Sequence, residues 1–137
     1  MNIQGKNILG NARVAGYAEV FGNAIVTDEA VVAGNARVAG YAIVAGRAVV
    51  ADKAIVADEA VVAGNARVNG NARVNGDARV SGRAIVRGRA IVRDRAIVGG
   101  NAIIGGNAVI LGGRWNGSEG EITSGRWLAP GVPADEQ

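Results

Sequence analysis

The sequence predicts an all-β solenoid, a chain coiled so that very short strands stack in parallel. Three observations predict it. Alanine recurs every six residues from Ala12 to Ala108, seventeen times without a break. Val or Ile stands two residues after each alanine, from Val14 to Ile110. Gly or Asp follows two residues later, as at Gly16, Gly22 and Asp28.

Each part of the unit x-Ala-x-Val/Ile-x-Gly/Asp has a physical reading. Ala and Val are one residue apart, so both project to the same side of a short strand. Six is not a helical period, and a Gly every six residues would cripple a helix. Val and Ile favour the extended chain, while Gly, Asp and Asn supply turn chemistry. A strand this short cannot bury its apolar side alone. Coiling stacks successive turns about 4.8 Å apart and gives all inward residues one shared core.

The ends depart from the unit. Ile8 still holds the aliphatic position but Lys6 replaces Ala, so residues 1–10 read as a first partial coil. After Ile110 the pattern stops. Gly-Arg-Trp then occurs twice, at 113–115 and 125–127. The organisation expected is a repeat over 1–111, a C-terminal cap over 112–128 and a flexible tail over 129–137. Trp115, Trp127 and Leu128 are expected to cover the open strand edges of the last coil.

Val14-Ala15-Gly16-Tyr17-Ala18-Glu19 and Val62-Ala63-Gly64-Asn65-Ala66-Arg67 resemble the hexapeptide-repeat family. That pattern is an aliphatic residue, a small residue, two variable positions, a small residue and one more variable position. The resemblance covers about three quarters of the chain. It implies a left-handed parallel β-helix, a triangular solenoid with three hexads (18 residues) per coil and about six coils. The left hand comes from the resemblance alone, since the usual crossover is right-handed. Gly-Asn-Ala-Arg-Val, at 10–14, 34–38 and 64–68, further resembles hexapeptide proteins of bacteria and prophages.

Composition narrows the chemistry. The 137 residues include five aromatic side chains, no Cys and no His. Disulfides and thiolate chemistry are excluded, as is every Ser-His or Cys-His nucleophile pair. Many hexapeptide-repeat proteins are acyltransferases, and the resemblance would place a histidine base beside an acyl-cofactor groove. Another branch resembles carbonic anhydrases that hold zinc through histidines. This chain has no histidine for either role. Neither catalytic residues nor a cofactor or metal site is expected. Asp28, Asp52, Asp58 and Asp94 occupy the Gly position and read as turn residues. Gly99-Gly100-Asn101 and Gly105-Gly106-Asn107 likewise read as turns and not as phosphate loops. Ice binding is not expected either, because only Thr27 and Thr123 supply threonine.

The residue between Ala and Val/Ile points outward. Stacking by 18 puts Ile25, Ile43, Val61 and Ile97 in one column, interrupted by Arg79. An exposed aliphatic column suggests burial between copies. The resemblance favours a homotrimer.

Charge is unevenly placed. The chain carries a net +3, but residues 61–111 alone hold eight Arg against two Asp. Arg83, Arg87, Arg89, Arg93 and Arg95 form a basic girdle that offers a polyanion contact. No aromatic side chain interleaves with it, so nucleic acid is not the expected partner. Residues 1–7 lack the basic and apolar regions of a signal peptide, and no apolar run is long enough to span a membrane. Cytoplasmic synthesis without membrane contact is expected.

The function expected is a non-catalytic structural or assembly rod that self-associates, of virion or bacterial-scaffold type, with a scaffold or virion protein as its further partner. The runner-up is an acyltransferase-like protein, lacking the histidine base, that binds a small acyl or sugar ligand. A polyanion-binding rod is the third reading.

Overall fold

The computed structural model describes residues 8–133. Seventeen two-residue strands recur every six residues, from β1 (Arg13–Val14) to β17 (Val109–Ile110). Each consists of the outward residue and the inward Val or Ile of one hexad. Between strands the chain turns a corner, closed by an i to i+3 bond such as Ala18 N–H to the Ala15 carbonyl at 3.2 Å.

Every strand from β1 to β17 pairs in parallel with the one three hexads away. Arg13 stands over Val31, and Ile25 over Ile43. The 18-residue coil is therefore the observed register. Three sheets result, one per side of the rod. The first face starts at Arg13, the second at Glu19 and the third at Ile25. No strand of the described residues is replaced by a helix.

The core is the two inward columns of each face. From Ala18 to Ile110 every repeat Ala and its partner Val or Ile is buried. Ala12 and Val14 are only partly buried, as befits the first coil. No polar side chain is buried among the described residues. Burying each Val or Ile is worth roughly 1.5–3 kcal/mol, and the alanines let the three faces approach closely. Backbone polar groups are satisfied from coil to coil. Arg13 N–H donates to the Ala30 carbonyl at 2.9 Å, and Ala15 N–H to that of Val32 at 2.9 Å.

The corners carry the repeat's Gly or Asp at positive φ, between 56° and 69° from Gly10 to Gly106. Asp is among the few residues with a side chain that tolerate this region. Asp28, Asp52 and Asp58 add a bond: each carboxylate accepts the backbone N–H of the glycine one coil above, Gly46, Gly70 and Gly76, at 3.0 Å. Their reading as turn residues agrees with this geometry.

Residues 112–128, assigned to a cap on sequence, continue the coil. β18 (Arg114–Trp115) pairs in parallel with Ile97–Val98. Ile122 bridges to Ile104, and β19 (Arg126–Ala129) pairs with Val109–Ile110. The inward residues of this last turn are Trp115, Ile122 and Trp127, spaced five, seven and five residues from Ile110 onward. Trp115 lies within the coil and is 2% exposed. Where a regular hexad reads Ala-x-Val, this one reads Gly113-Arg114-Trp115. The glycine lets the chain at Ala129 and Pro130 approach closely: a Cβ on Gly113 would stand 2.5 Å from Ala129 Cα. The Trp115 Nε1–H donates to the Gly112 carbonyl, and that of Trp127 to Ser124, both at 2.8 Å. The rings meet edge to face, 6.2 Å between centroids. Leu128 faces outward on β19 and is about half exposed. β20 (Val132–Pro133) turns back antiparallel on β19 and ends that sheet with a proline, which cannot donate to a further strand.

Candidate interaction surfaces

The inward columns are buried, and the outside carries the polar and charged side chains. Three kinds of outward position build it: the second corner residue before each Ala, the strand residue between Ala and Val, and the residue after Val.

The strand position supplies the aliphatic columns. On the third face Ile25, Ile43 and Val61 stack in consecutive coils, followed by Arg79 and Ile97. The four aliphatic members are partly buried by their neighbours and still present a surface to solvent. The first face stacks Val31 on Val49 and Ile85 on Ile103, with Arg67 between the pairs. The second face alternates Arg37, Ile55, Arg73 and Ile91.

The five arginines of the girdle separate. Arg87 reaches to Glu121 of the last turn, with Nη2 2.8 Å from Oε2. Arg93 pairs with its neighbour Asp94 at 3.6 Å. Arg83, Arg89 and Arg95 precede strands of the first, second and third face respectively, so the rod itself stands between them.

Two of the three contribute to grooves. On the first face a groove of about 480 Å³ is lined by Arg47, Val49, Asn65, Arg67, Arg83 and Ile85. On the second a groove of about 360 Å³ is lined by Lys53, Ile55, Asn71, Arg73, Arg89 and Ile91. Every residue of the second set is six positions beyond its counterpart in the first. They are one groove printed twice by the hexad. A smaller hollow of about 260 Å³, lined by Asn35, Arg37, Lys53 and Ile55, extends the second groove downward. Sequence reasoning missed these grooves because it sorted arginines by position along the chain. The signal was there in the six-residue offset of Arg47/Arg67/Arg83 and Lys53/Arg73/Arg89.

The third face breaks the pattern. Glu59 and Asp77 stand where the grooves have Arg47 and Asn65, or Lys53 and Asn71. Glu59 is held above the usual glutamate range, first by its side-chain hydrogen bond with Asp77, then by the charge of that carboxylate, by desolvation and by Asp58.

Among the described residues, no three His, Cys, Asp or Glu side chains gather as a metal-ligand set. No helix there is long and apolar enough to cross a membrane. Protein-family models, curated proteins and solved structures were all compared with the chain, and none matches.

Proposed function

We propose that this protein is a non-catalytic, self-associating β-helical rod of the hexapeptide-repeat type, serving as a rigid spacer or scaffold. The hand we assign to the coil is left, on the strength of that resemblance. The observation that carries the reading is the third-face ladder Ile25–Ile43–Val61, continued by Ile97 across Arg79. Aliphatic side chains on a flat, regular face gain by leaving water, and a second copy offers the matching surface. An interior with no buried polar side chain among the described residues and the lack of His and Cys favour support over chemistry. We take the assembly to be a closed ring of parallel rods, a trimer, in which each copy meets two others.

Light scattering tests the reading. The expected mass is a multiple of the 13.8 kDa chain that persists at high salt. Ile43→Glu combined with Val61→Glu is expected to give the single-chain mass. A monomer at every concentration and salt would overturn it.

A further inference from the structure

We propose that the two hexad-related grooves, centred on Arg67 and Arg73, bind an acidic glycan chain laid along the rod. The proposal goes beyond self-association and uses other surfaces, since the apolar ladder belongs to the third face.

In the second-face groove the cations come one per coil and alternate between the two walls: Lys53, then Arg73, then Arg89. Arg37 stands one coil below, in the adjoining hollow, and is paired with Glu19 at 3.8 Å, so the three cations above it carry the site. Coils stack about 4.8 Å apart, so positive groups rise at that step and recur on one wall at about twice it. The first-face groove repeats the zigzag with Arg67 and Arg83 and, below them, Arg47, which Glu29 pairs at 3.3 Å. A compact anion would satisfy one such group. A linear polyanion, with charges set along an extended backbone, satisfies all of them.

The rest of the lining selects the kind of polyanion. No carboxylate lines either groove, although the chain has twelve acidic residues. Asn65 and Asn71 stand level with Arg67 and Arg73 and offer an amide donor and acceptor to hydroxyl groups. Val49, Ile55, Ile85 and Ile91 give flat aliphatic patches between the cations, suited to the C–H face of a sugar ring. Neither groove has an aromatic side chain on which a base would stack. Guanidinium forks, amides and an aliphatic floor match a chain of sugars bearing carboxylate or sulfate groups. On the third face Glu59 and Asp77 would repel the same ligand, so the two adhesive properties are kept on different sides.

The test titrates the intact protein, at physiological salt, with a hexameric polyuronate, a neutral oligoglucan of equal length and a single-stranded oligonucleotide of equal charge. Binding of the polyuronate, none of the oligoglucan and weaker binding of the oligonucleotide are expected. The double variant Arg67→Gln/Arg73→Gln is expected to lose more than about tenfold in affinity, the scale of one or two charge-assisted hydrogen bonds. Arg79→Gln removes a cation from the same coil on the third face and is expected to cost less than about threefold. Three results would each overturn the proposal: no polyuronate binding, oligonucleotide binding as tight or tighter, or Arg79→Gln as damaging as the double variant. The light-scattering mass of each variant separates these results from any failure of self-association.

Discussion

Asp52 sits at a corner with φ 61°, a backbone state that costs most side chains roughly 1–2 kcal/mol. Its carboxylate offsets that cost by accepting the N–H of Gly70. The same arrangement recurs at Asp28 and Asp58, and each time glycine occupies the place above. Asp52→Ala keeps the strained backbone and loses the bond, so it is expected to destabilise by about 1–2 kcal/mol in thermal denaturation. Asp52→Gly relieves the strain and is expected to cost less. Glu59 gives a prediction of opposite sign. Its folded pKa lies above the ordinary value of 4.5, so the fold binds this proton more tightly than the unfolded chain does. That contribution is present in acid and is lost as pH rises through the raised value. Glu59→Gln is therefore expected to match the parent's melting temperature near pH 4 and to exceed it at pH 7. The gain is small, because the pair is exposed.

At the scale of the element, the seventeen regular strands were legible from the chain and the last turn was not. A strand of two residues has no propensity to speak of. Its partner is fixed because Ile25, Ile43 and Val61 are multiples of one period apart, and a slip by one residue would turn every Val outward. Trp115 and Trp127 defeated the same logic. Spacings of five, seven and five break the period, and Gly113 and Trp115 stand where a regular hexad has Ala and Val. The doubled Gly-Arg-Trp could have revealed it, read as a variant of Ala-x-Val. The pairing of Arg87 with Glu121 was out of reach for the same reason, since it depends on where the irregular turn runs. In a solenoid each coil leans mainly on its neighbours. Trp115→Ala is accordingly expected to cost about 3–5 kcal/mol, concentrated in the terminal turn. Denaturation followed by Trp127 fluorescence should then show that turn melting before the rest of the rod.

At the scale of the whole molecule, three similar faces have acquired different surfaces. The interior is nearly the same at every coil, whereas the exterior carries an apolar ladder on one side and cationic grooves on the other two. This division has an arithmetic consequence. The interior counts in sixes and the exterior counts in eighteens. Deleting residues 11–28 removes one whole coil, and every column above it keeps its place. Deleting residues 65–70 leaves the interior equally well matched, yet it turns everything beyond by one side. Asp77 then arrives above Lys53, where Asn71 stood. Both shortened chains are expected to retain the parent's circular dichroism, and only the second to lose glycan binding in one of its grooves. A lineage that gains or drops such cassettes can thus re-deal its outer face while the buried one registers no change.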